Sequence, residues 1–459
     1  MGQLGRIERD LETLFGRTDP ALVHFDPGVE GNRLLWVVCS HVNVPPGKFA
    51  QSRIFRRMRG AKLFLNARGN DWYQAGVGGD LASIEALVSA VGRMSEGFRR
   101  TNFVGHSMGA YLVLALAHSF DRGGHFLATS PEPVLGRTAT RSRVNRVKAR
   151  AGWEDLIQRF GVGRPRTPGL TLFGGHDAID ALFLAERSAH EVFYGELAVV
   201  PHHHGVTEFL RSRRIYRPFL LSPARGLARL RERGFAVDPD GLGQADQFAR
   251  FHATYDLARR GRIRRAVSLV EEDRAWNNPG WQALSAQVLR RAGAPERALE
   301  AAVLADRACP GVPDYVRERA RALVALGDRR GATDLADEIA DLRHAKFAPI
   351  RAELVESGLL HEPPLPPDAL TSERDLERAR RDALRSGALP GLAAEILPHL
   401  PALCDRPPLA REAFRLIVDA GLRRSALVAA ARLPDPLGCE LARQIAELMP
   451  DRAANDQLH

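Results

Sequence analysis

Nowhere does this 459-residue chain carry a run of about 18 apolar residues, the length a helix needs to cross a bilayer. Its first residues, Met1-Gly2-Gln3-Leu4-Gly5-Arg6, hold no apolar stretch of the sort that directs export. Neither secretion nor a membrane span is therefore expected. Cysteine is scarce: Cys39, Cys309, Cys404 and Cys439 are far apart and form no C-x-x-C pair, so a disulfide framework is excluded and a cytoplasmic location is expected. Lysine is scarcer still for a basic chain. The 65 basic residues comprise 61 Arg and 4 Lys, set against 55 acidic residues for a net charge of +10. Because the arginines are interspersed with Asp and Glu and no dense basic run is interleaved with aromatics, nucleic acid is not an expected partner. The densest basic stretch covers residues 137–150.

What is present is globular. Apolar residues make up 45% and charged residues 26%, and the length implies two or three domains. Strand-like segments at residues 21–25, 33–39, 61–65, 101–104, 125–129, 169–173 and 196–200 alternate with helical stretches at 6–15, 49–58, 80–94 and from 108 onward. Such alternation predicts an α/β fold, a parallel sheet flanked by helices. In sheets of this type a ligand sits beyond the carboxyl ends of the strands.

The chain is organised around Gly105-His106-Ser107-Met108-Gly109, a G-x-S-x-G motif between the strand Thr101–Val104 and an apolar helical run. A serine in a strained strand-to-helix turn needs neighbours without a Cβ, which Gly105 and Gly109 supply. Its hydroxyl is then presented at a helix N-terminus, where developing negative charge is stabilised. Ser107 is the expected nucleophile.

A serine hydroxyl needs an imidazole to take its proton and a carboxylate to orient that imidazole. The strand at 169–173 runs into Gly174-Gly175-His176-Asp177, and the strand at 196–200 into Pro201-His202-His203-His204-Gly205. Asp177 is the first candidate for the acid and Asp180 the alternative. Asp177 is also a suitable helix N-cap, a role compatible with catalysis. His204 is the first candidate for the base, and His203 the second. Three consecutive histidines lack the spacing that lets ligands converge on one ion, so no metal is expected, and no cofactor.

Residues 20–215 resemble the α/β-hydrolase superfamily, in which the triad follows the chain order serine, acid, histidine. The resemblance implies a serine hydrolase acting on ester bonds through an acyl-enzyme, with Ser107, Asp177 and His204 as its triad. It also implies an oxyanion hole from the N–H of Met108 and an amide in the loop His41-Val42-Asn43, assigned to Val42, although no His-Gly-Gly-Gly motif is present. Substrate contacts are expected from His41, His106, Trp72 and Tyr73, the last two on a loop whose polar and aromatic residues suit a sugar ring or serve only as packing. Residues 136–168 fall where such enzymes carry a lid. Their basic side chains read either as a solvated face or as a surface for an anionic substrate. A small-molecule, glycan or lipid ester is the substrate class. The rival expectations are a non-catalytic scaffold and an acyltransferase or thioesterase using the same triad.

Beyond residue 238 the strand pattern stops, giving expected domains at 1–238 and 239–459. A unit recurs instead: Gly261…Ala266, Gly293…Ala298, Gly327…Ala332 and Gly421…Ala426, with Gly358 and Gly387 continuing it loosely. It resembles the tetratricopeptide repeat, in which glycine occupies the turn between helices and alanine packs in the second helix. The resemblance implies an all-α solenoid binding a protein partner.

Overall fold

The computed structural model describes residues 13–29, 33–161, 163–235, 239–341, 347–360 and 407–420, with residues 376, 393, 396 and 397. Most of the expected helix at 6–15, Asp238 at the expected domain boundary, the repeat positions Gly387 and Gly421, and Cys404 and Cys439 lie outside the described residues. The chain divides into two compact units, residues 1–284 and 285–459.

The first unit is a seven-stranded sheet with helices on both faces. Its strands are β1 (Val23–Asp26), β2 (Leu34–Cys39), β3 (Ala61–Leu65), β4 (Arg100–His106), β5 (Phe126–Thr129), β6 (Gly169–Gly174) and β7 (Glu196–Val200), in spatial order β1-β3-β2-β4-β5-β6-β7. Only β1 runs antiparallel, against β3. The expected α/β class is the observed one. The strands are buried almost throughout, as parallel strands covered on both faces must be.

Period-two alternation allots the side chains to two layers. Trp36, Val38, Phe64, Val104, Leu127, Leu170, Leu172, Ala198 and Val200 join one core with residues from α4 (Val206–Ser212), α5 (Tyr216–Leu221) and α6 (Pro223–Glu232). The other face receives α1 (Ile84–Ser95) and α2 (Met108–Ser119); α2 packs on β2, β4 and β5. Every residue of α2 from Met108 to His118 is buried, the signature of a central rather than a surface helix. The helical stretch expected at 49–58 is a single turn, Ser52–Phe55. Gln51 ahead of it is left-handed at φ 61, and Trp36 Nε1 pins Arg59 O just beyond it.

The order of the strands has a functional consequence. From β2 the chain steps to β3 on one side, then crosses over to β4 on the other, and continues outward to β7. The loops after β2 and β4 therefore diverge and leave a crevice at the carboxyl edge, the switch point of an open parallel sheet.

Helices follow without further strands among the described residues. Short α3 (Asp180–Ala185) packs on α7 (Ala245–Arg259), and α7 on α8 (Ile263–Glu272); α9 spans Pro279–Arg291. In the second unit α10 (Pro295–Ala308) packs on α11 (Pro313–Leu326), which also meets α12 (Arg329–Asp341) and α13 (Ala348–Glu356). Another helix, α14, covers Pro407–Asp419. Gly261, Gly293, Gly327 and Gly358 all have φ between 68 and 81, and no atom crowds their Cβ positions. Glycine is required there by backbone conformation alone. Ala266, Ala298 and Ala332, five residues after the first three, are completely buried. No helix among the described residues is long and apolar enough to cross a membrane.

Candidate functional site

Ser107 links β4 to α2 at φ 54 and ψ −119, a conformation that costs a non-glycine residue of order 1–3 kcal/mol. Its surroundings hold it there. The Ser107 N–H donates to Thr129 O at 2.8 Å, and Ser107 O accepts from Ala110 and Tyr111. A Cβ on Gly105 would lie 2.5 Å from the Gly109 carbonyl carbon, and one on Gly109 would lie 2.9 Å from the Cys39 carbonyl carbon. Strand, turn and helix thus pass too close for any side chain at either glycine. The buried α2 stands behind the serine with its N-terminus at the crevice.

Among the candidate bases, His204 faces a carboxylate. Its Nδ1 lies 3.1 Å from Asp180 Oδ1, while Asp180 Oδ2 accepts the Gly174 N–H at 2.9 Å. Ser130 Oγ donates to His204 O at 3.2 Å and fixes the loop from below. His204 Nε2 is buried and has no hydrogen-bond partner among the described residues. His203 turns its Nδ1 onto the Gly205 N–H, and His202 turns its own onto the His203 N–H. The rings of His202 and His203 meet edge to face at 4.0 Å, whereas the His204 ring meets Asp180.

That acid is Asp180 rather than Asp177, the first candidate. Asp177 Oδ1 accepts the Ile179 and Asp180 N–H groups at 3.0 Å each, capping the turn, and Oδ2 accepts Arg141 Nη2 at 2.9 Å. Burial pushes the Asp177 carboxyl up, but the charges of Arg141 and His204, with the Asp180 N–H, outweigh it and hold the carboxyl well below its ordinary range. Arg141 is a residue the sequence did not place here. It comes from the segment after β5, 36 residues before Asp177, and its Nη1 also lies 3.7 Å from Asp180 Oδ1. Ligand atoms of Asp177, Asp180 and His204 lie within 4.8 Å of one another, yet each carboxylate oxygen already has a donor and a cation there would have to displace Arg141.

Three imidazoles line the serine's side of the crevice. The ring of His106 lies 4.8 Å from that of His204 and 5.9 Å from that of His41. His106 Nδ1 sits 3.1 Å from Thr129 O, and burial, reinforced by its neighbours His204, His41 and Arg141, drives its pKa well below the ordinary value. It is a neutral wall for His204. In the loop after β2, the Ser40 N–H donates to Leu65 O and the Asn43 N–H to Asn70 Oδ1, while the His41 and Val42 amides have no partner among the described residues. Met108 N–H opens α2 directly beside Ser107.

The aromatic loop corrects another expectation. Trp72 and Tyr73 are fully buried, so neither presents a ring face to a ligand. Both are left-handed, at φ 55 and 60, because Asp71 accepts the Tyr73 and Ala75 N–H groups and turns the chain inward. The Tyr73 hydroxyl then donates to Ser40 O and Leu65 O beneath the crevice. Asn70 stays at the surface instead. It bonds Asn43 in the loop after β2 and Asn145 in the 136–168 segment, both through Nδ2.

The acid loop is also clasped from the helical side. His252 of α7 places Nδ1 3.0 Å from Ala178 O and Nε2 3.1 Å from Thr138 O. Asn278 Nδ2 donates to Gly175 O at 2.8 Å. Gly280 approaches so closely that a Cβ there would lie 2.6 Å from the His176 carbonyl carbon. Nothing in helical periodicity marks those three residues as neighbours of Asp180.

No protein-family model matches the chain, and no curated protein matches it in sequence. Two solved structures are similar in part. One belongs to the glycosylation-associated protein complex Gap123 of Streptococcus agalactiae, with 17% identity, a TM-score of 0.29, and 43% of each chain covered. The other comes from work on two metagenome-derived lipolytic enzymes, LipS and LipT, with 14% identity and a TM-score of 0.28. That match covers 44% of this chain and 99% of the other.

Proposed function

We propose that residues 20–215 form an α/β-hydrolase-type domain that hydrolyses ester bonds through an acyl-enzyme on Ser107. His204 Nε2 takes the proton as Ser107 Oγ bonds to the ester carbonyl carbon, and returns it to the departing alkoxide as the C–O bond breaks. Water then enters the same cycle and releases the acid. Asp180 accepts the Nδ1–H, which directs the Nε2 lone pair outward and stabilises the imidazolium. The Met108 and Val42 amides receive the charge on the carbonyl oxygen. Segment 136–168 covers the crevice.

The observation that carries this reading is His204, held at Nδ1 by a buried aspartate while its buried Nε2 has no partner among the described residues. The strained turn at Ser107 and the switch-point crevice support it. Treatment with a fluorophosphonate probe tests it. Labelling of the wild type that Ser107→Ala and His204→Ala both abolish is expected; a folded wild type that takes up no label overturns it.

For the helical region, left-handed glycines followed by buried alanines support a tetratricopeptide-like array that binds a protein segment.

A further inference from the structure

The 136–168 segment carries six cations near its start, and the structure sorts them. Arg137 pairs bidentately with Glu186, with Nη2 2.6 Å from Oε1. Arg141 pairs with Asp177, and Arg150 with Glu85 at 3.0 Å. Arg143, Arg146 and Lys148 have no acidic partner among the described residues. Those three, with Gly136 and Val147, line one recess of about 450 Å³.

The backbone of the recess is built rather than loose. Buried Glu132 accepts the N–H and the hydroxyl of Ser142, and Ser142 Oγ in turn accepts the Gly136 N–H at 2.7 Å. Arg146 is left-handed at φ 53, closing the short helix Arg141–Val144 through its bond to Arg143 O. A glycine would adopt that conformation without strain, yet the position carries a guanidinium. The segment also straddles the crevice. At one end Arg141 reaches the acid loop, and at the other Asn145 reaches Asn70 and through it the loop of Val42. Of the unpaired cations, Arg143 lies between these two anchors and Arg146 and Lys148 follow directly after the second.

We propose that this recess binds an anionic group, a carboxylate or phosphate, carried by the ester that Ser107 attacks; this rests on the hydrolase reading above. Three unpaired positive charges in one concavity favour an oxyanion, and guanidinium forks match its geometry. The neighbouring cations do not compete, because Glu186, Asp177 and Glu85 already hold them. The substrate is thus an acidic ester rather than a neutral lipid.

Mono-4-nitrophenyl adipate and 4-nitrophenyl hexanoate test this, differing only in a terminal carboxylate. The wild type is compared with the triple variant Arg143→Gln, Arg146→Gly and Lys148→Gln, in which the glycine suits the left-handed position. The ratio of kcat/KM for adipate over hexanoate is expected to fall about tenfold in the variant, and to fall with added salt in the wild type. An unchanged ratio overturns the proposal. Calorimetric titration of Ser107→Ala with adipate and with inorganic phosphate separates this outcome from failure of the hydrolase reading. Binding that the triple substitution removes establishes the anion site even if the serine takes no fluorophosphonate, and the two titrations distinguish carboxylate from phosphate. Absence of binding by either anion overturns the site even in an active esterase.

Discussion

Replacing Asp180 and Asp177 separately by asparagine has sharply different expected effects. Asp180 spends one oxygen on the Gly174 N–H and the other on His204 Nδ1. An asparagine there keeps its carbonyl oxygen on Gly174 N–H, because an amide NH₂ cannot accept. Its NH₂ is then left facing His204 Nδ1, which must become the acceptor, so the ring proton moves to Nε2. The imidazole is left in the tautomer that cannot take a proton from Ser107. The corresponding change in a serine triad costs about 10⁴ in kcat, or roughly 5.5 kcal/mol of barrier. Asp177→Asn keeps its cap on Ile179 and Asp180 but turns an NH₂ toward Arg141. Its cost falls on stability, about 3 kcal/mol for one partner removed from a partly buried pair, with hydrolysis per folded molecule within about tenfold. Ester hydrolysis and fluorophosphonate labelling rates, normalised to folded protein by circular dichroism, check both. Asp177→Asn losing about 10⁴ while Asp180→Asn stays within tenfold would refute the assignment of Asp180.

Acid should destabilise the protein through buried histidines. Burial lowers His118 and His176 to about 4, so both are neutral in the fold but take up protons near 6.5 when unfolded. Stability is therefore full above about pH 6.5 and is lost as pH falls toward 4, by roughly 2 kcal/mol per histidine at pH 5; urea unfolding at pH 7.5 and pH 5 measures it, and equal midpoints would contradict it. The glycines divide into two kinds. Gly105→Ala meets backbone and is expected to cost more than about 3 kcal/mol, whereas Gly327→Ala meets only an unfavourable φ of 68 and is expected to cost about 1 kcal/mol. Thermal melts of the two variants should keep that order.

Much of the architecture was legible because its signals are local. Strand alternation, the glycines around Ser107 and the glycine–alanine units each act within a few residues. The site was legible in part. Chain order and strand ends led to the acid loop and the histidine loop, and the His204-Gly205 ending led to His204, whose Nδ1 lies against Asp180. Choosing between Asp177 and Asp180 was beyond a local signal, since both sit on one helical turn. What separates them is Arg141, arriving from 36 residues upstream to occupy Asp177. Trp72 and Tyr73 misled for a related reason. Aromatics among Asn, Arg and Asp look like surface, and only the left-handed turn at Asp71 drives them inward.

The clasp of His252, Asn278 and Gly280 on residues 175–178 bears on how such a chain can be altered by recombination. A crossover point chosen where strands give way to helices, near residue 240, would pair the acid loop with foreign helices and leave the carbonyls of Gly175 and Ala178 without their donors. The helices up to about residue 281 are inherited with the sheet, as a splint on the turn that carries Asp180. The clasp asks nothing of the helix pairs beyond that point, since none of its three residues lies there.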